Sequence, residues 1–139
     1  MRRVKRFFSL APGERGLLLR ALIRLYRTCL KLHLLPQKRW NPLLTASATP
    51  AATPRQRFSE NQIAWAVRAA ARYVPTANCL PQAIVAKQLL EEQGYHPVLR
   101  IGVQSPEALD LKAHAWVETG GRVLIGDDGR EYHALAGTR

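Results

Sequence analysis

Three residues in the second half of the chain have types and positions suited to nucleophilic catalysis. Cys79 stands at the start of a predicted helix, His114 lies in the segment Ala-His-Ala-Trp-Val-Glu, and Asp127 follows the next predicted strand. A thiol reacts as a nucleophile only in its thiolate form, which a helix N-terminus and a nearby imidazole both favour. The order and placement of these residues therefore indicate a cysteine hydrolase.

Each of these residues would have a separate role in such a reaction. The unpaired N–H groups of the first helical turn favour a thiolate at Cys79 and could stabilise the oxyanion of a tetrahedral intermediate. His114 would take the thiol proton and later give it to the leaving amine. Asp127 would fix the tautomer and orientation of the imidazole. Asp128 is a nearly equal alternative, because strand register cannot be fixed to one residue from sequence.

Taken singly, the same residues have ordinary structural interpretations. A cysteine at a helix start is usually a small packed residue, a single histidine in a strand is usually structural, and an aspartate after a strand often belongs to a turn. We interpret Trp116 and Val117 as core residues. The catalytic prediction therefore depends on the combination of residues on a helix and two successive strands.

Metal or cofactor chemistry has weaker support in the sequence. Cys79 combined with His96 or His133 lacks the ligand spacing typical of a zinc site. The chain has no glycine-rich phosphate loop, and no pair of carboxylates that suggests acid–base catalysis without the cysteine. We therefore expect neither a metal nor a cofactor.

The elements that must position these residues are predicted from periodicity and stop signals. The predicted helices run from Ser9–Pro12 to about Leu32, from Ser59 to Pro75 and from Cys79 to Gln93, and the predicted strands are Tyr95–Val103, Ala113–Thr119, Arg122–Gly126 and Tyr132–Leu135. Asn78 is a suitable N-cap for the third helix, and Gly94 is suited to end it. Helices followed by an antiparallel meander indicate an α+β domain, with the helices packed on one sheet face.

The charge of the chain is distributed unevenly. The net charge is +11, and residues 1–60 hold 13 Lys and Arg against 2 acids, whereas residues 61–139 hold 8 against 8. Residues 45–57 are small, polar and interrupted by prolines, which predicts a linker or long loop. We therefore divide the chain into a basic helical segment (1–44), this linker (45–57) and a catalytic domain (58–139).

The first predicted helix has an apolar face and a cationic face. Leu18, Leu22, Leu25, Cys29 and Leu32 form the apolar stripe, and Arg20, Arg24, Arg27 and Lys31 recur at the same spacing elsewhere. The simplest interpretation of the cationic face is a solvated surface, while binding of an acidic peptide, a partner protein or a membrane stays open. Nucleic acid is the least supported partner, because no nucleic-acid motif accompanies the charge.

The cysteines and the N-terminal sequence bear on localisation. Cys29 and Cys79 are too few for a disulfide framework, and Cys29 is interpreted as a buried structural thiol. The N-terminal apolar stretch is interrupted by Pro12 and Gly13, so no cleavable signal peptide is predicted. The apolar segments are also too short for a transmembrane span. We expect a cytoplasmic protein.

Several segments resemble those of one known family. They are Cys79-Leu80-Pro81-Gln82-Ala83, Leu89-Leu90 with Gly94, Leu99-Arg100-Ile101-Gly102-Val103 and Ala113-His114-Ala115-Trp116-Val117-Glu118. Together they closely resemble the leader peptidase of lasso-peptide biosynthesis, a family with a transglutaminase-like, papain-related cysteine protease fold. The N-terminal sequence Arg-Phe-Phe-Ser-Leu-Ala-Pro-Gly-Glu-Arg is also similar, so the resemblance covers most of the chain.

The resemblance implies a cysteine protease that removes the leader from a ribosomally made precursor peptide, so that a separate cyclase can close the macrolactam. The family's nucleophile corresponds to Cys79, its base to His114 and its acid to Asp127. Leader recognition in many such systems lies in a small separate protein, so the resemblance implies a stand-alone form that needs this partner. Two alternatives stay open: a transglutaminase-like acyl transferase, and a non-catalytic module that binds a peptide.

Overall fold

The computed structural model describes residues 5–6, 8–45, 56–103, 113–127 and 133–138. The elements are the helices α1 (Pro12–Leu34), α2 (Asn41–Thr45), α3 (Glu60–Ala71) and α4 (Cys79–Glu92), a 3₁₀ helix (Gln37–Arg39), and the strands β1 (Val98–Val103), β2 (Ala113–Thr119), β3 (Arg122–Ile125) and β4 (His133–Thr138). This confirms the predicted α+β class. Most of the predicted linker (46–55) and the alternative acid Asp128 lie outside the described residues.

Local sequence signals account for the starts of α1 and α3. Pro12 occupies the first turn of α1, where its missing N–H costs nothing, and the Glu14 carboxylate accepts a hydrogen bond from the N–H of Ala11 at 3.3 Å. A capping box opens α3, in which Ser59 Oγ accepts from the N–H of Gln62 at 3.2 Å and Gln62 Oε1 accepts from the N–H of Ser59 at 2.9 Å. The predicted start of this helix at Ser59 is therefore confirmed.

Both ends of α4 lie where the sequence predicts them. Asn78 occupies the N-cap position, although its side chain forms no capping hydrogen bond. Gly94 has a φ of 84°, and its N–H donates to the carbonyl of Glu91 at 3.0 Å, as expected of a glycine that ends a helix. Cys79 is consequently the first helical residue, in an N-terminal turn that the Asn78 side chain does not cap.

The strands form one antiparallel sheet in the order β3-β2-β1-β4. The predicted meander is therefore wrong for the last strand, because β4 pairs with β1 and not with β3. Gly120 and Gly121 have φ values of 55° and 76° and join β2 to β3 in a hairpin turn. Along β2, Ala115, Val117 and Thr119 are buried, whereas the alternate residues His114, Trp116 and Glu118 are only partly buried. We call the second set the outer row. The prediction of a core position is confirmed for Val117 and wrong for Trp116, because Trp116 belongs to the outer row.

The helices and the sheet share a buried hydrophobic cluster to which α1 contributes. Its members include Leu17, Leu25 and Cys29 of α1, Ile63 and Val67 of α3, Ile84 and Leu90 of α4, and Leu99 and Val117 of the sheet. Helix α1 packs against both α3 and α4. The predicted apolar stripe of α1 is thus a core-facing surface. No helix in the described ranges has the length and apolar character needed to cross a membrane.

Polar contacts fix the C-terminal end of α4 to earlier parts of the chain. Arg24 of α1 forms an ion pair with Glu92. The side-chain oxygen of Gln93 accepts hydrogen bonds from the N–H groups of Arg57 at 2.8 Å and Phe58 at 3.3 Å. Arg24 therefore joins α1 to α4 through this ion pair, and its assignment to a solvated cationic face is wrong.

Candidate active site

Cys79 is half-buried at the start of α4, at the margin of the hydrophobic cluster. Helix α4 packs against β2, the strand that carries His114. Because Asn78 does not cap the helix through its side chain, that side chain does not compete with a ligand for the N–H groups of the first turn. A negative charge on Cys79 would lie at the positive end of the helix dipole.

His114 is held by a main-chain group. Its Nε2 atom lies 2.5 Å from the carbonyl oxygen of Gly126. A carbonyl oxygen can only accept a hydrogen bond, so the contact requires the hydrogen on Nε2. In a neutral imidazole of this tautomer, Nδ1 is the nitrogen that can take up a proton. The contact at Nε2 therefore orients the imidazole ring.

Gly126 can approach β2 this closely only because it has no side chain. Its φ is 93°, and a Cβ atom built on it would lie 2.8 Å from the carbonyl oxygen of Ala115 and 2.8 Å from Cβ of Trp116. Side-chain atoms do not occupy such distances without displacement of the neighbouring strand. The glycine thereby brings the chain after β3 onto β2, where its carbonyl reaches the imidazole.

The outer row of β2 supports the histidine from a second side. The rings of His114 and Trp116 are stacked, with centroids 6.2 Å apart and planes at 20°. The indole N–H of Trp116 donates to Glu118 Oε1 at 2.8 Å, and Nε of Arg100 donates to Glu118 Oε2 at 2.8 Å. The Trp116 hydrogen bond, and then the Arg100 hydrogen bond, hold the pKa of the Glu118 carboxyl below its ordinary value. An ionised Glu118 thus fixes the indole that lies beside the imidazole.

The residue of β1 that lies opposite His114 is a glycine. Directly opposite His114 in the register of β1 and β2 is Gly102, which has no side chain to fill the outer face. Ala113 and Ala115, the neighbours of His114 in the chain, alternate to the other face of β2.

The predicted site residues can now be located relative to one another. The structure brings His114 to the turn that contains Gly126 and the exposed Asp127. It positions Cys79 on the helix that packs against the histidine's strand, and in the described part of the chain no hydrogen bond joins the Cys79 thiol to the imidazole. Cys29 is buried, and both cysteines are free thiols. The catalytic roles of Cys79, His114 and Asp127 remain a proposal.

No metal-binding cluster of three or more His, Cys, Asp or Glu residues occurs within the described residues. His96 is exposed and lies two residues before the start of β1. It is not one of the residues described above as contacting His114. The site is accordingly described through its thiol, imidazole and main-chain groups.

Two parts of the site are missed by sequence reasoning. Gly126 was interpreted only as the end of a strand, although a glycine directly before Asp127 and Asp128 is a signal for an unusual backbone conformation. The Arg100–Glu118 pair depends on the alignment of β1 with β2, and no sequence signal gives that register to one residue.

Comparison with known proteins gives one finding at the level of family. The sequence pattern of the Transglutaminase-like superfamily matches residues 15–136, which includes α1 as well as the candidate site. No curated protein and no solved structure matches the chain significantly.

Proposed function

The chain belongs to the transglutaminase-like superfamily, and from this premise we propose that it is a cysteine protease that removes the leader peptide from a lasso-peptide precursor. Membership suggests thiol chemistry of the peptidase or acyltransferase type. The main observation in support of the proposed site is the hydrogen bond from Nε2 of His114 to the Gly126 carbonyl, which orients the imidazole. His114 lies on β2, the strand against which the helix that begins with Cys79 packs. The choice of a leader peptide as substrate rests on the resemblance of the segments around Cys79 and His114.

In the proposed reaction, Nδ1 of His114 takes the proton of Cys79, and the thiolate attacks the scissile carbonyl carbon. N–H groups at the start of α4 stabilise the oxyanion. The imidazolium then protonates the leaving amine as the C–N bond breaks, which leaves a thioester on Cys79. A water molecule then attacks the thioester while His114 takes one of its protons. The C–S bond breaks, the product leaves with a free carboxyl group, and the imidazolium returns its proton to the Cys79 thiolate. Asp127 stabilises the imidazolium as the acid of the triad.

The proposed partners follow from the same resemblance. They are the precursor leader as substrate, a small leader-recognition protein, and a cyclase that uses the cleaved product. We propose that the reaction takes place in the cytoplasm, where a reducing environment would keep Cys79 as a thiol.

Mass spectrometry of a precursor, incubated with the chain and a recognition protein encoded beside it, tests this function. We expect a loss of mass equal to the leader. Cys79→Ala and His114→Ala should abolish the loss, because they remove the nucleophile and the base. Cys29→Ala is the matched control, since it removes the other, buried thiol and should leave cleavage intact.

Other outcomes would assign a different function. Mass gained from an added amine, with the same dependence on Cys79, would identify an acyl transferase, since only the acceptor of the thioester differs. Binding of the precursor without any change in mass would identify a non-catalytic module. If Asp127→Asn loses activity and Asp128→Asn does not, Asp127 is supported as the acid. If only Asp128→Asn loses activity, Asp128 is the acid instead.

A further inference from the structure

Helix α1 has a second apolar face, which is exposed. Its members are Leu19, Ile23, Tyr26, Leu30 and Leu34, whose exposed fractions lie between 48% and 71%. At 100° per residue these positions fall within about 80° of one another around the helix axis. They are opposite the side that enters the core through Leu25. We call this set the apolar face of α1.

A concave surface borders the apolar face on one side. A cavity of about 290 Å³ is lined by Tyr26, Leu30 and His33 of α1 and by residues 73–76, which connect α3 to α4. Tyr73 contributes a further aromatic side chain that is 54% exposed. The apolar face is therefore a ridge beside a groove, a shape that can accept side chains from another helix.

Cationic side chains border the apolar face on the other side. Arg20, Arg27 and Lys31 are exposed, and within the described ranges none of the three forms an ion pair, in contrast to Arg24, which contacts Glu92. Exposed cations without a carboxylate partner, in a row beside apolar groups, are complementary to acidic side chains that flank an apolar stripe.

We propose that the apolar face of α1 and the adjoining groove bind an amphipathic helix of another protein, whose apolar residues recur at intervals of three and four and are flanked by Asp or Glu. The spacing of Leu19, Ile23, Tyr26 and Leu30 is that of a helix–helix seam. Arg20 and Arg27 would meet the acidic flank. This binding surface does not depend on the reaction proposed for Cys79.

Two other occupants fit the surface less well. A second copy of the chain would bring the row of Arg20, Arg27 and Lys31 close to an identical row, with repulsion between like charges. An anionic membrane surface would match the charge but would leave the groove beside Tyr73 without a side chain to fill it.

The test uses the full chain and two synthetic helical peptides. Both carry the same Leu and Ile stripe at intervals of three and four; one is flanked by Glu and the other by Lys. We expect the Glu peptide to bind in calorimetric titration, with NMR shift changes confined to α1 and residues 73–76. Tyr26→Ser with Leu30→Ser should weaken binding at least about tenfold, because these side chains form the centre of the contact.

Charge reversal gives the second part of the test. Arg20→Glu with Arg27→Glu should weaken binding of the Glu peptide and strengthen binding of the Lys peptide. Lys38→Glu with Arg39→Glu is the matched control, because these residues lie in the 3₁₀ helix after α1 and should leave the preference unchanged. All four substituted positions are exposed, and circular dichroism checks that the variants fold.

Three results would overturn the proposal. The first is equal binding of the two peptides, or binding that the variants do not change. The second is self-association in sedimentation velocity that the Tyr26 and Leu30 substitutions abolish, which would make a second copy the occupant. The third is binding to phosphatidylglycerol vesicles with no binding of the Glu peptide, which would identify a membrane-binding face.

Discussion

At the residue scale, the imidazole of His114 is positioned by groups that do not themselves transfer protons. The Gly126 carbonyl accepts from Nε2, and the Trp116 ring lies along the face of the imidazole. Glu118 in turn fixes Trp116 and is paired with Arg100. An imidazole that is already oriented loses little conformational freedom when a ligand binds beside it. Trp116 and Glu118 of the outer row therefore support the orientation of His114.

The lowered pKa of Glu118 predicts how stability depends on pH. A carboxyl whose pKa is lower in the folded than in the unfolded chain stabilises the fold above its unfolded pKa, and this contribution is lost as the pH falls through the folded pKa. Glu118→Gln should therefore lower the free energy of unfolding near neutral pH by about 1 kcal/mol, and its difference from the wild type should shrink in acid. Urea denaturation at a series of pH values measures this difference.

Glu60→Gln serves as the control for this measurement. The ion pair of Glu60 with the largely exposed Arg122 is longer, at 3.4 Å, so its removal should change the free energy of unfolding less than Glu118→Gln does. A pH dependence that is the same in Glu118→Gln and the wild type would contradict the stabilising role of the ionised carboxylate.

At the element scale, the hairpin of β2 and β3 and the turn after it depend on glycines for different reasons. Gly120 and Gly126 both have positive φ, but a Cβ atom at Gly120 would meet nothing within 4 Å, whereas one at Gly126 would collide with β2. Gly120 is needed because the hairpin turn requires a positive φ. Gly126 is needed because the chain approaches β2 closely there, which places its carbonyl oxygen against the His114 imidazole.

Alanine substitution should separate these two glycines. Gly126→Ala should destabilise the fold by about 3 kcal/mol, since strain at positive φ and displacement of β2 both contribute. Gly120→Ala should cost about 1 kcal/mol, because only the backbone conformation is strained. Thermal unfolding measures both values, and equal losses would contradict the close packing of Gly126 on β2.

The starts of α1, α3 and α4 and the end of α4 could be predicted from the sequence because their signals are local, whereas α2 was not predicted and α3 ends at Ala71, before Pro75. The Ser59–Gln62 box, Pro12 and Gly94 act within a few residues of the ends they define. The last strand is less well predicted, since β4 runs from His133 to Thr138 and extends beyond the expected end at Leu135. Strand limits depend on partners that are distant in sequence.

The candidate site could be predicted only in part. The residue types and order of Cys79 and His114 are visible in the sequence, and so is the hairpin that leads towards Asp127. The register is irregular between Val117 and Glu118, opposite β3, so a regular ladder extrapolated from the Gly120–Gly121 turn is displaced. That irregularity is the physical reason why a main-chain carbonyl near the histidine could not be foreseen.

At the scale of the whole molecule, the segment that carries the excess charge also contributes to the buried core. Residues 1–60 carry the excess charge, yet α1 contributes Leu17 and Leu25 to the same buried cluster as α3 and α4. The family match from residue 15 is consistent with this packing. The basic helix is thus an integral part of the fold and also presents its outer side to solvent.

Removal of α1 should therefore prevent folding of the remainder. A fragment of residues 56–139 would expose the apolar surfaces of α3 and α4 that α1 covers, and burial of large aliphatic side chains contributes about 1.5–3 kcal/mol each. We expect no cooperative thermal transition in circular dichroism. A chain that lacks residues 1–6 is the control and should unfold cooperatively; cooperative unfolding of the shorter fragment would show that α1 is dispensable.

The Gly126 carbonyl has a consequence for how this protein can vary. An aspartate or a tryptophan can be exchanged by a change of codon, but a peptide oxygen is present whatever residue is encoded. The orienting hydrogen bond of His114 is in this respect a property of the chain path, and it is kept as long as the turn after β3 reaches β2. That approach requires a glycine at position 126, and the stacked ring of Trp116 depends on the encoded side chain.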